Sequence, residues 1–182
     1  MKVFIGGSRK ITRLNADIRQ RIDRIIENSL PILVGDANGA DKAVQDYLVT
    51  KNYGLVEVFC AGGECRNNLG HWPIRLISPS NKQRNFDFYA SKDRAMANEA
   101  TYGLMIWDGR SVGTLMNALR LIEQGKMAAV YVGLKKQFID VKNWNDWELF
   151  VTNNASEMRR RLQEQVEVEK NGAPSHRQTS MF

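Results

Sequence analysis

The sequence predicts an α/β fold: a Rossmann-like open parallel sheet with helices on both faces. Three observations carry this reading. Short apolar runs of strand length recur and stop at glycine, as in Val3-Phe4-Ile5 before Gly6-Gly7. Amphipathic helical stretches alternate with those runs. The first three runs and two helical stretches fit within roughly sixty residues, which makes two βαβ units with right-handed crossovers and parallel strands.

Each element follows in order. After Val3–Ile5, apolar residues at Leu14, Ile18, Ile22, Ile25 and Ile26 keep helical spacing, with arginines on the other face. Pro31 to Val34 forms a second run, ended by Gly35-Asp36, and a helix fits Ala40 to Thr50, with Val44 and Leu48 on one side. Leu55 to Phe59 is a third strand. Residues 61–85 hold Gly-Gly, Asn-Asn, two prolines and scattered basic residues without a sustained period, so they read as a long functional loop. Helical spacing returns from Phe86 to Ala100, followed by a strand over Gly103–Trp107 and a helix over Leu115–Ile122 that Gly125 closes. Ala128–Val132 is a further strand, and Lys135–Val141 is extended and edge-like. Trp144, Trp147, Leu149 and Phe150 open a helix that Met158, Leu162 and Val166 carry to about Val168. This gives one domain over residues 1–168. The segment 169–182, ending NGAPSHRQTSMF, lacks a core-forming pattern and is expected to be disordered.

Composition bounds the function. The chain has 182 residues, 43% hydrophobic and 25% charged, which is the globular regime. No apolar run is long enough to cross a bilayer, and the N-terminus lacks a signal-peptide run, so a cytoplasmic protein without a membrane partner is expected. Cys60 and Cys65 stand far from the ligand count of a zinc site, and His71 and His176 add no ligand spacing. No metal and no cofactor are expected, and in a reducing compartment the two thiols are expected to stay unpaired. The net charge is +6, and seven basic residues face three acidic ones between Lys2 and Leu30. Such a surplus suits an anionic ligand or a solvated basic surface.

Three strand ends carry the same chemistry: Gly6-Gly7-Ser8-Arg9, then Gly35-Asp36-Ala37-Asn38-Gly39-Ala40-Asp41, then Asp108-Gly109-Arg110-Ser111-Val112-Gly113-Thr114. Glycines let backbone N–H groups approach an anion, and the helix that follows adds unpaired amides and a positive dipole end. Ser111 and Thr114 add hydroxyl donors, and Arg9 can fork onto a phosphate. Each junction alone also fits an ordinary turn, with Asp36, Asp41 or Ser111 as an N-cap. Three on one edge of a parallel sheet point to a shared anion site. Neither G-x-G-x-x-G nor the Walker pattern is present, so a standard dinucleotide or ATPase site is not indicated.

GGSR, GDANGADKAV, KDRAMANEA and WDGRSVGT occur in that order. In this the chain resembles the SLOG superfamily, which includes the Smf/DprA proteins and the Lonely-guy nucleotide hydrolases; the likeness is nearest to the bacterial and phage branch related to YspA and YpsA. It covers roughly Met1 to Val132, most specifically in GDANGAD and DGRSVGT. It implies a Rossmann-like sheet with a pocket for a nucleotide or nucleotide-derived molecule, and it adds Lys92, Asp93 and Asn117 to the ligand-binding candidates. The junctions supply the rest: Gly6, Gly7, Ser8, Arg9, Gly35, Asp36, Gly39, Asp41, Asp108, Gly109, Ser111, Gly113 and Thr114.

The sequence also departs from that pattern. Asn117 stands where the hydrolases carry a catalytic glutamate, and an amide is no general base at neutral pH. Lys92 and Asp93 stand where those enzymes carry an Arg-Lys pair. Catalytic residues are therefore unassigned, with Asp93 or Asp36 as substitute carboxylates. Arg66, Asn67 and Asn68 are further contact candidates against a reading as exposed loop. Lys92 and Arg94 face different sides of their helix, and Lys92 is the one expected to address the pocket. Trp107 either stacks on a base or fills the core.

Three functions remain open: binding of a nucleotide-derived small molecule, hydrolysis of the N-glycosidic bond of a nucleoside monophosphate, or single-stranded nucleic-acid binding. The last is weakened because no strand interleaves aromatic and basic residues. The aromatic segment Trp144–Phe150 also suits a homodimer contact.

Overall fold

A computed structural model describes residues 1–79 and 86–172. The segment 80–85 of the long loop lies outside the described residues, as does the tail from 173, where disorder is expected.

One seven-stranded sheet runs in the order β4-β3-β2-β1-β5-β6-β7. Its strands are β1 (Val3–Gly7), β2 (Ile32–Gly35), β3 (Val56–Ala61), β4 (Ile74–Ile77), β5 (Tyr102–Trp107), β6 (Met127–Val132) and β7 (Gln137–Val141). All neighbours pair in parallel except β7, which runs antiparallel to β6. β1 lies at the centre. The chain builds outward from it through β2, β3 and β4, then returns to lay β5 on its other side. The reversal between β1 and β5 leaves a crevice beyond Gly7 and Trp107, where open sheets of this kind bind ligands.

Helices cover both faces. α1 (Ala16–Glu27) and α2 (Ala40–Thr50) bury Ile18, Ile22, Val44 and Leu48 against Val3, Ile5 and Val34 on one side. On the other side, α3 (Phe86–Glu99), α4 (Val112–Glu123), α5 (Trp144–Asn154) and α6 (Arg159–Gly172) pack over Phe4, Leu33, Phe59 and Trp107. Strand residues alternate between these two clusters because successive side chains point to opposite faces. Asn15 caps α1 by accepting from the Ile18 amide at 3.0 Å, and Asn143 does the same for α5 from Asp146.

Four details differ from the sequence expectation. Ile74–Ile77 is a fourth parallel strand inside the supposed loop. The helix expected from Trp144 to Val168 is two, because Ala155 (φ −140°, ψ 27°) breaks it before a 3₁₀ turn over Ser156–Met158. The preceding Asn153-Asn154 pair has poor helix propensity, which favours that break. The second helix then runs beyond Val168 to Gly172. Finally, Cys60 and Cys65 are bonded to each other rather than free, with Cα atoms 5.2 Å apart. Gly62, at φ 85°, folds the intervening residues back so that the two ends meet.

Trp147 and Phe150 lie in the core, whereas Trp144 and Leu149 are exposed. Among the described residues, no helix is long and apolar enough to cross a membrane.

Candidate ligand cavity at the switch point

A cavity of about 710 Å³ opens at the crevice between β1 and β5. The end of β1 contributes Gly6, Gly7, Ser8 and Arg9; the β5–α4 junction contributes Asp108, Ser111, Gly113 and Thr114. Asp41, Lys92, Asp93 and Asn117 complete the part of the wall legible in the sequence. Among the described residues, five basic side chains stand against three acidic ones around it, with Lys10, Arg110 and Arg161 joining Arg9 and Lys92.

The two junctions are tied together. The Ser8 amide donates to the Ile106 carbonyl at 2.9 Å, and the Ala40 amide donates to the Ser8 carbonyl at 3.0 Å. Asp108 turns its carboxylate back onto its own loop and accepts from the amides of Arg110 (3.0 Å) and Ser111 (2.8 Å). Burial alone would raise the Asp108 pKa, but these amides and the Ser8 hydroxyl hold it below the usual carboxylate value. Ser111 caps α4 by accepting from the Thr114 amide at 3.3 Å, so it is an N-cap as well as a wall residue. That leaves the Val112 and Gly113 amides at the helix start without a partner outside the helix among the described residues. Among the described residues, a side chain at Gly113 would meet only Phe86 Cε2, at 3.8 Å, and none of them covers its amide.

A charged cluster occupies the floor. Lys92 is buried in α3; its Nζ lies 2.6 Å from Asp93 Oδ1 and 3.8 Å from Asp41 Oδ2. Burial works against its charge, but Asp93 and Asp41 overcome this and raise its pKa. Asp93 is the closer counter-ion. For Asp41, burial dominates over Lys92, and Asp93 adds to it; its carboxyl is pushed up to about 6. Asn117 donates to Asp93 Oδ2 at 3.4 Å and accepts from Arg120, which in turn pairs with Glu169 of α6. The amide at position 117 thus orients a carboxylate rather than replacing one.

Raising a carboxyl pKa in the fold means that the folded state holds the proton more tightly than the unfolded chain does. Asp41 therefore makes stability fall as pH rises from about 4 to about 6, with no further change above. The variant Asp41→Asn should remove this slope, a difference on the order of 2 kcal/mol across the window. Denaturant titrations of both proteins at pH 4.5 and 7 measure it; parallel pH dependence in the two would refute the burial of this carboxyl.

Several sequence candidates do not line the cavity. Gly39 (φ 91°) and Gly109 (φ 87°) serve their turns, and a side chain at Gly39 would strike the Arg9 backbone. Gly35 makes room for the ion pair, because a Cβ there would collide with Asp41 Oδ2 and Lys92 Nζ. Asp36 points to Arg66, accepting from its backbone N at 3.0 Å and from Nε at 2.9 Å. Burial would raise the Asp36 pKa, but these bonds hold it low, so it is a loop clamp and no substitute base. Asn67 donates to the Asp36 carbonyl at 2.7 Å and Asn68 to the Trp72 carbonyl at 2.8 Å, so both are structural. Arg94 pairs with Asp87 and Glu169 away from the cavity. Trp107 is fully buried and its Nε1 donates to the Ser111 carbonyl at 3.1 Å, so it belongs to the core.

Sequence reasoning missed Tyr89, Phe86, Lys10, Arg110 and Arg161 as wall residues. Tyr89 is held between two guanidinium groups, Arg9 at 5.1 Å and Arg66 at 4.8 Å from the ring centre. Its place one turn before Lys92–Asp93 was the available signal.

No family model matches the chain, and no curated protein matches it. Among solved structures it is similar to DNA processing protein A (DprA) from Streptococcus pneumoniae, with a TM-score of 0.54 and 17% identity. The match covers 71% of this chain and 49% of that one, so the chain spans about half of its length. The Rossmann-like sheet that carries this cavity is accordingly a fold the chain has in common with DprA.

Proposed function

We propose that this chain is a SLOG-type protein of the YspA/YpsA-related branch, and that its switch-point cavity binds a nucleotide or nucleotide-derived small molecule. One observation carries this reading. The ends of β1 and β5 bring basic side chains, a hydroxyl cap and the Gly113 amide, which has no partner outside its helix among the described residues, onto one cavity of about 710 Å³, within the usual size of a small-molecule site. The cationic surplus suits phosphate, and the floor carboxylates suit the hydroxyl groups of a sugar.

Calorimetry with adenosine 5′-monophosphate (AMP), adenosine 5′-diphosphate (ADP), ribose 5-phosphate and adenosine, paired with mass spectrometry of molecules released from natively purified protein, tests it. Saturable binding of a phosphorylated nucleoside with little binding of adenosine is expected. Uniform absence of binding, with nothing co-purified, rejects the reading.

A second reading is hydrolysis of a nucleotide N-glycosidic bond. It is favoured by Asp41, a wall carboxyl that burial pushes up to about 6. Chromatography for free base after incubation with a nucleotide panel decides it. The similarity to a DNA processing protein and the net charge of +6 favour nucleic-acid binding instead. That alternative predicts oligonucleotide affinity falling steeply with salt and competing with the small ligand.

A further inference from the structure

We propose that α6 is a working wall of the cavity, with Arg161 meeting a second phosphate group of the ligand. The inference rests on the nucleotide reading above and narrows it to nucleoside 5′-diphosphates or diphosphate-linked nucleotides.

The first turn of α6 carries three consecutive arginines with different fates. Arg159 pairs with Glu148 at 2.8 Å and Arg160 with Glu164 at 2.9 Å, both away from the cavity. Arg161 lines the cavity and has no carboxylate partner among the described residues. Arg161 is exposed, as basic side chains on a surface ordinarily are, but its place is at the mouth of an anion-suited cavity.

The helix is held in place by charge as well as by packing. Glu169 accepts from Arg120 Nε at 3.2 Å and lies 3.7 Å from Arg94 Nη1, so α6 is keyed to both α4 and α3. Met158 and Leu162 anchor its first turn in the core on either side of Arg161. Through Arg120 and Asn117 the same helix reaches Asp93 on the floor.

Arg110, the Gly113 amide and the Ser111 hydroxyl supply the donors one phosphate can use. Arg161 arrives from a separate element and adds a cation beyond that set. A guanidinium there gives a diphosphate a charge-assisted contact that a monophosphate seated at α4 does not make.

Titration calorimetry of the full chain with ADP and AMP at one ionic strength tests this. Arg161→Ala is expected to weaken ADP about tenfold and AMP by less than about twofold. Arg161→Lys should fall between the two, because the charge stays and the fork is lost. Arg160→Ala, one position away and facing Glu164, should change neither. An Arg161→Ala protein that binds ADP like the parent, or that loses ADP and AMP equally, overturns the inference. Equal affinity of the parent for ADP and AMP overturns this inference alone. A parent that binds neither overturns the nucleotide reading and this inference with it.

Discussion

Replacing Lys92 by methionine is expected to lower the free energy of unfolding by about 3–5 kcal/mol, because removing one member of a buried ion pair strands the others. Methionine matches the length of the aliphatic stem, so little packing volume is lost and the effect reports charge. Two carboxylates, Asp41 and Asp93, face the same ammonium inside the fold. The loss should shrink at pH 5, where Asp41 is already protonated and one negative charge remains. Equilibrium denaturation at pH 5 and pH 8 measures both quantities. A loss below about 1 kcal/mol at pH 8 would mean that water screens the cluster and that the floor is not a low-dielectric site.

Gly113→Asp should abolish ligand binding while leaving the fold intact. The position has space, with Phe86 Cε2 as its near neighbour at 3.8 Å, and an acid in the first turn of a helix is stabilising. Thermal stability should therefore stay level or rise slightly. The carboxylate would stand over the bare amides of α4 and repel a phosphate, a juxtaposition that costs several kcal/mol, or about a hundredfold or more in affinity. Gly113→Ala, which adds bulk without charge, should retain most of the binding. Calorimetry with the best nucleotide of the panel reads the difference. Retained affinity in the aspartate variant would move the phosphate away from α4.

The alternation of apolar runs and amphipathic stretches carried the sheet, its crossovers and both helical faces, because buried strands such as Leu104–Trp107 and stripes such as Ile18–Ile22–Ile25 have no other stable arrangement. Strand β4 escaped for the opposite reason. Ile74 is 49% exposed and Leu76 is 54% exposed, so the strand exists through backbone pairing to β3 rather than through a buried face. Glycine was the ambiguous signal at the site. Gly7 and Gly113 border the cavity, but Gly35 clears space for an ion pair and Gly39 and Gly109 supply turns. All of these look alike as letters. Arg161 was illegible because its position depends on a helix brought across the sheet, which no local motif records.

Among the described residues, strand β4 ends the sheet with one neighbour, so a row of its peptide groups faces outward beside exposed Ile74 and Leu76. Such a border is a template on which another polypeptide can grow. Arg75 stands in the middle of it, bound to Glu57 at 2.9 Å and also to Glu99, with its guanidinium over the Phe59 ring at 5.0 Å. A passing strand would have to desolvate that charged triplet to dock, which is how natural edges resist aggregation. Replacing Arg75 by an apolar residue removes the guard and leaves residues 74–77 as an edge open to self-association.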